Sequence, residues 1–247
     1  MPVPIRRLLP DPVDTVELVD AYNYPPNTTW LRANMIASAD GAATINGRAG
    51  GLGSATDQQL LGLLRALADV VIAGAGTVVA EGYGPARARP QYQELRASAG
   101  QPPAPRMVVV SQRLQLDFDS KYFTEALQPP IVVTCEAAPA DRALAARKVA
   151  EVVVAGHSVV SPARMVDALV ALGQRRLLCE GGPTLLAMVA ADGVLDELCL
   201  TIAPMLVAGP SRRILDGPLL DPTPKMALTQ LLQDDDDLLY ARYEVLR

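Results

Sequence analysis

Seven short, mostly apolar runs rich in Val, Ile and Leu recur along the chain: Trp30–Ala37, Asp69–Gly74, Arg106–Ser111, Pro130–Thr134, Glu151–Gly156, Arg175–Glu180 and Glu197–Ala203. A strand with one wet face alternates apolar and polar residues, whereas near-continuous runs of this length fit strands covered on both faces. Helix-like amphipathic segments separate the runs at Asp57–Leu67, Asp141–Val149, Pro162–Leu172 and Pro183–Ala191. Ser161-Pro162 and Pro183 are helix-start signals, because proline is tolerated where the first-turn N–H has no partner. Strand and helix alternating in this way imply an α/β fold, a mostly parallel sheet wrapped by helices.

Two regions depart from that alternation. Residues Glu81–Pro105 are rich in Gly, Pro and Arg and too long for an ordinary connection, which predicts a lid or a mobile insertion. Near the C-terminus, "MALTQLLQ" and "LLYARYEVL" flank the acidic turn Asp234–Asp237 and read as an antiparallel hairpin with a solvated tip. The first 29 residues, with "YNYPPN", form an N-terminal arm that Trp30 and the neighbouring tyrosines pin to the body, and "LLGLLRAL" reads as core packing.

Charge and cysteine usage exclude several function classes. With 20% charged residues, a formal net charge of −5 and no block of Lys or Arg, the chain has no electrostatic footprint for nucleic acid. No segment approaches the roughly 18 apolar residues of a membrane span. Cys135, Cys179 and Cys199 sit singly in apolar runs without a Cys-x-x-Cys pair, which fits reduced core residues and a cytoplasmic location. One histidine, His157, leaves no room for a zinc cluster or a Ser-His-Asp triad, so no metal is expected.

In open α/β sheets ligands gather beyond the carboxyl ends of the strands. Gly74, Gly76 and Thr77 follow one predicted strand, and Glu180, Gly181 and Gly182 end another just before Pro183. Glycine lets backbone N–H groups approach a ligand closely, and a helix N-terminus offers unpaired donors with a favourable dipole. Val79 stands where a complete Gly-x-Gly-x-x-Gly fingerprint needs glycine, so the first cluster alone is weak. Two such clusters at one sheet edge point to a dinucleotide.

The order "NMIASADGAAT", "GSATDQQLLGLLRALADVVIAGAGTV", "RMVVVS", "LLCEGGPTLL" and "VLDELCLTIAPMLVAGPSRR" resembles the reductase domain of bacterial riboflavin biosynthesis and, more distantly, dihydrofolate reductase. The resemblance runs from Trp30 to the C-terminus and implies a single reductase domain over residues 30–247 behind the arm at 1–29. It implies a dihydrofolate reductase-like three-layer α/β/α fold with NADPH as cofactor. Gly74, Gly76, Thr77, Glu180, Gly181, Gly182, Thr184 and Leu185 would hold the dinucleotide, and Ser111 and Arg113 would lie near the adenosine ribose and its 2′-phosphate. The zinc-deaminase pattern is absent, which fits a stand-alone reductase.

Hydride transfer asks little of side chains beyond orienting the substrate and controlling one proton. Asn34, Ser38 and Asp40 alternate by twos and form a candidate substrate-facing set. Asp57, in the first turn of a predicted helix, resembles in position the carboxylate that contacts the pterin in dihydrofolate reductase, although the helix dipole favours an acid there without any ligand. Asp40 or Asp57 would then handle the proton. Ala42 stands where riboflavin-pathway reductases carry a basic residue, and "AEGYGPAR" replaces their Asp-Asn-Pro segment, leaving Arg87 as the candidate substrate-phosphate contact.

The implied activity is 5-amino-6-(5-phosphoribosylamino)uracil reductase-like, acting on a small heterocyclic substrate. Dihydrofolate reduction and a non-catalytic dinucleotide-binding protein stay open as alternatives. The resemblance also implies a homodimer formed through the sheet edge near "DELCLTIAP".

Overall fold

The computed structural model describes residues 5–247. The N-terminal segment contributes β1 (Ile5–Leu9) and α1 (Leu18–Tyr22), followed by β2 (Trp30–Ser38), α2 (Ala55–Leu67), β3 (Val70–Gly74), α3 (Ala75–Ala80) and α4 (Gln93–Ser98). The middle of the chain forms β4 (Arg106–Val110), α5 (Lys121–Thr124), β5 (Ile131–Thr134), α6 (Ala140–Ala146) and β6 (Glu151–Val154). It continues through α7 (Pro162–Ala171), β7 (Arg176–Cys179), α8 (Pro183–Ala191) and β8 (Glu197–Ala203) to the hairpin of β9 (Lys225–Asp234) and β10 (Leu239–Leu246).

All ten strands belong to one sheet in the order β1-β9-β10-β8-β2-β7-β3-β4-β5-β6. The stretch from β8 to β6 is parallel, and β10, β9 and β1 extend it antiparallel. The apolar runs are continuous because alternate residues enter different cores. Val71 and Ala73 pack with Leu60, Leu64 and Leu67 of α2, while Val70 and Ile72 pack with Met165 and Leu169 of α7 and Leu186 and Val189 of α8. Helices thus cover both faces, as the α/β/α reading requires.

Three expectations change here. The arm does more than pack on the body, since β1 adds a strand beside β9. Strand β8, which carries "ELCLTIA", is internal between β2 and β10 and offers no free sheet edge. The Glu81–Pro105 segment holds α4, whose Arg96 is 2% exposed and donates to the carbonyls of Ala66 and Ala68 at 2.8 Å and of Pro102 at 2.6 Å. A cation bonded to the terminal carbonyls of α2 caps that helix and pins the segment to it.

A charged pair inside the sheet is also buried. Arg32 of β2 stands beside Glu197 of β8 in register and pairs with it at 2.7 Å, the two side chains being 0% and 4% exposed. Trp30 Nε1 donates to the same carboxylate at 2.9 Å, and Arg32 donates to the Tyr22 carbonyl at 2.7 Å with the Tyr24 ring 4.3 Å away. Removing one member strands a buried charge, which typically costs about 3–5 kcal/mol. Arg32→Met should lower unfolding stability by about that much in a urea titration, and adding Glu197→Leu should recover a large part of it.

Candidate active site

The chain leaves β2 through α2 and enters β3 beyond the position that β7 later fills, so β7 lies between β2 and β3. At this switch point the carboxyl ends of the strands open into a cleft of about 1170 Å³. Its lining includes Asn34, Asp57, Arg65, Gly74, Gly76, Thr77, Glu180, Gly182, Thr184 and Leu185. Most of the sequence-derived set therefore converges on one place.

Two of the glycines there, Gly181 and Gly182, are required by backbone conformation or close approach. Gly74 N donates to Gly181 O at 2.7 Å, joining the two strand-to-helix turns. Gly181 has φ +74°, and a Cβ on Gly182 would lie 2.6 Å from Thr77 Oγ1. The Gly181–Gly182 peptide is cis. Beyond this turn the first-turn amides of Thr184 and Leu185 in α8 donate to no group among the described residues. Unpaired donors at a helix N-terminus beside a side-chain-free turn suit an anionic group.

Glu180 is held from three directions. Arg65 Nε and Nη2 donate to its two oxygens at 2.6 and 2.7 Å, and Tyr83 Oη donates at 2.5 Å. Burial first, and then the charge of Glu180, raises the pKa of the Tyr83 phenol, which stays protonated as a donor. Arg65 was hidden in "LLGLLRAL": a single cation inside an apolar helix run was the available signal. Tyr83 belongs to the Glu81–Pro105 segment and links it to the cleft wall.

Asp57 occupies the N-terminal turn of α2, whose N-cap Ser54 accepts from the Asp57 amide at 3.2 Å. Thr201 Oγ1 of β8 donates to Asp57 Oδ1 at 2.8 Å. Desolvation by burial raises the Asp57 pKa, opposed by the Thr201 bond and reinforced by the charge of Asp234. Asp234 itself is buried and accepts from Tyr240 Oη at 2.7 Å and from the Leu238 amide at 2.9 Å, so this part of the acidic hairpin turn is structural and not solvated.

Other candidate residues lie elsewhere. Asp40 is exposed and accepts from Ser38 Oγ at 2.5 Å and from the Val207 and Ala208 amides at 3.1 and 2.7 Å. These bonds, that from Ser38 foremost, hold its pKa at about 2. It clamps the 39–48 loop to the 204–213 loop and remains ionised at neutral pH, which does not suit a proton donor. Ser38 is buried, and its hydroxyl serves Asp40 and the Ala42 amide.

Arg87 pairs with Glu125 at 2.9 Å, is 70% exposed and lines a separate cavity of about 580 Å³. Ser111 caps the Leu114 amide at 3.0 Å and Arg113 is exposed; both follow β4, next to β3 but outside the cleft lining. His157 is exposed and paired with Glu136, and no metal-binding group of acids, Cys and His occurs among the described residues. All three cysteines are free and buried.

A profile of the RibD C-terminal domain matches residues 29–240. The chain belongs to the RibD C-terminal domain family. A protein of Methanothermobacter thermautotrophicus named 2,5-diamino-6-ribosylamino-4(3H)-pyrimidinone 5′-phosphate reductase is 31% identical over 79% of this chain and 84% of its own. A protein of Archaeoglobus fulgidus with the same name is 28% identical over 76% of this chain and 86% of its own. The structure of a pyrimidine reductase-like protein from Corynebacterium diphtheriae is 31% identical, with a TM-score of 0.81 over 94% of this chain and 96% of that one. The chain is accordingly an oxidoreductase of the riboflavin-pathway reductase kind. No helix among the described residues is long and apolar enough to cross a membrane.

The carboxylate of Asp57 carries a stability signature. A carboxyl whose folded-state pKa is raised destabilises the fold once it ionises, so stability is lost as pH rises through the folded-state value. Asp57→Asn should therefore raise Tm by calorimetry near neutral pH, and the difference should vanish in acid below the ordinary carboxylate value of 3.8.

Proposed function

We propose that this protein is an NADPH-dependent reductase of a phosphoribosylamino-pyrimidine in riboflavin biosynthesis. The observation that carries this reading is the pair of glycine turns, after β3 and β7, meeting at the switch point beside a cleft that holds a half-buried carboxylate. The residues present fit a dinucleotide. Gly76 has nothing within 4 Å of where a Cβ would stand, Gly182 has room for backbone alone, and the α8 amides are open to a pyrophosphate. Thr77, Gly182, Thr184 and Leu185 would hold that pyrophosphate, with Ser111 and Arg113 towards the adenosine end.

When bound, NADPH supplies a hydride, which reduction of the ring-opened ribosylamino group needs at C1′ together with one proton on nitrogen. The chain's own contribution is placement. Asn34 and Asp57 face the heterocycle, and Glu180 forms the wall between it and the dinucleotide turn, kept rigid by Arg65 and Tyr83. The loops clamped by Asp40 line another side of the cleft. Reduced, buried cysteines fit a cytoplasmic enzyme.

The test is loss of NADPH absorbance with purified protein and three substrates in parallel: the 2-amino-pyrimidinone 5′-phosphate, its uracil counterpart and dihydrofolate. Consumption with a pyrimidine supports the pathway reductase. Consumption with dihydrofolate alone transfers the site to pterins, and saturable NADPH binding without turnover leaves a dinucleotide-binding protein. Gly182→Val should weaken NADPH binding by at least an order of magnitude in a fluorescence titration, because its side chain would displace Thr77 from the turn.

We also infer a homodimer. Met226 and Leu228 of β9, opposite Val245 and Tyr243 in register, are 43% and 40% exposed at the antiparallel end of the sheet, with Leu9 of β1 also exposed. Apolar side chains left open together mark an association surface. Light scattering should give twice 26.2 kDa, and Met226→Asp with Leu228→Asp should give the monomer.

A further inference from the structure

Two acids lie close together under the start of α2. Asp57 lines the cleft, whereas Asp234, 2% exposed at the end of β9, does not. Thr201 of β8 and Tyr240 of β10 are partners in register, so their side chains stand side by side on one face of the sheet. Each holds one acid: Thr201 Oγ1 donates to Asp57 Oδ1 at 2.8 Å, and Tyr240 Oη donates to Asp234 Oδ2 at 2.7 Å. Ser54, the N-cap of α2, joins the two. Its hydroxyl accepts from the Asp57 amide at 3.2 Å and donates to Asp234 Oδ2 at 3.3 Å.

The environments of the two acids differ. Asp234 receives four donors, the Asp236 and Leu238 amides on Oδ1 at 3.1 and 2.9 Å and the two hydroxyls on Oδ2. An amide N–H can only donate, so this is a setting for an ionised carboxylate. The Asp57 carboxyl has one donor among the described residues, Thr201. No Lys, Arg or His among those residues pairs with either acid, and Arg65, further along α2, is committed to Glu180. The groups that face Asp57 are thus Thr201 from β8, Asp234 from β9 and Tyr240 from β10, with no cation to balance a second negative charge.

Two negative charges close together and away from water oppose each other, and a proton taken up by the pair goes to the member with fewer donors. Burial and the charge of Asp234 both favour the protonated form of Asp57, against the bond from Thr201. We propose that Asp234 is a positioning residue for the reduction: a buried negative charge fixed behind the start of α2, it reserves the pair's proton for Asp57, which hands it to the substrate nitrogen. The inference rests on the reductase reading above. In that step hydride from NADPH, the reductant, forms the new C–H bond at C1′, and the C=N electron pair moves onto nitrogen. The Asp57 O–H breaks as the N–H forms, and the carboxylate left behind recovers its proton from solvent.

The test reads Asp57 directly. In cofactor-free protein labelled with [γ-13C]aspartate, the Asp57 carboxyl resonance is assigned by its loss in Asp57→Asn and followed against pH by NMR. The wild-type midpoint should lie above the ordinary carboxylate value of 3.8. Asp234→Asn should weaken proton binding at Asp57 by on the order of tenfold, a fall of about one pH unit. Asparagine keeps an oxygen for the two amides, and the Ser54 and Tyr240 hydroxyls can turn to accept from its Nδ2. Tyr240→Phe disturbs the same packing but keeps the charge, and should move the midpoint far less. A proton donor is lost as pH rises through its pKa, so in turnover with NADPH and a pyrimidine 5′-phosphate the alkaline limb of kcat should shift to lower pH in Asp234→Asn alone.

A wild-type Asp57 that titrates at or below 3.8 overturns the inference without any variant. Equal shifts in Asp234→Asn and Tyr240→Phe assign the effect to packing and overturn it too, as does an alkaline limb that stays in place while the NMR midpoint moves. A wild type that consumes NADPH with neither pyrimidine overturns the reductase reading, and the inference with it; the NMR midpoints need no turnover, so the two failures are distinguishable.

Discussion

The ion pair between Arg32 and Glu197 sets the relation between the two halves of the sheet. It fixes β2 against β8 with these residues in register, and that register carries Ile36 opposite Thr201 four residues further along. Thr201 is thereby placed under α2, where its hydroxyl meets Asp57. The same carboxylate and guanidinium hold Trp30 and the Tyr22 carbonyl, which draws the N-terminal segment onto the sheet. A buried charge pair is weak evidence for net stability but can specify a unique arrangement, and a slip of β2 against β8 would draw Arg32 away from Glu197.

The cleft is the outcome of topology more than of any motif. Parallel strands covered on both faces leave only their carboxyl ends open, and the insertion of β7 between β2 and β3 sends neighbouring connections in opposite directions. The glycine turns then serve two purposes. They allow Gly74 and Gly181 to meet through their backbones, and they leave the start of α8 uncovered. Rigidity comes from charge: Glu180 is clasped between a helix and the segment after α3, so this part of the cleft wall does not depend on loop packing alone.

The sequence was most legible where one local rule decided the structure. The predicted helix Pro183–Ala191 matches α8 at both ends because proline starts it and the apolar content sustains it. Glu197–Ala203 matches β8 for a similar reason. Short elements escaped notice. Helices α3, α4 and α5 have too few turns to show a periodicity, and β1 depends on β9, a partner more than two hundred residues away. The Glu81–Pro105 segment reads as a lid or a mobile insertion from composition, yet one buried arginine ties it to the end of α2.

What the sequence by itself determined is the layered α/β plan, the glycine turns and the family, because these follow from periodicity, from glycine's freedom of close approach and from the order of short motifs. Which acids face the cleft was decided only by the tertiary structure. Asp40 and Asp57 look alike in sequence, both beside a loop and both near small residues. The fold holds Asp40 with the Ser38 hydroxyl and two loop amides and keeps its pKa low, while it buries Asp57 beside Asp234 and pushes its pKa up against the opposing bond from Thr201. For Asp57 the difference comes from burial and from Asp234 on β9, which meet it only when the sheet is complete, whereas the two amides of the 204–213 loop add to the bond Asp40 receives from nearby Ser38.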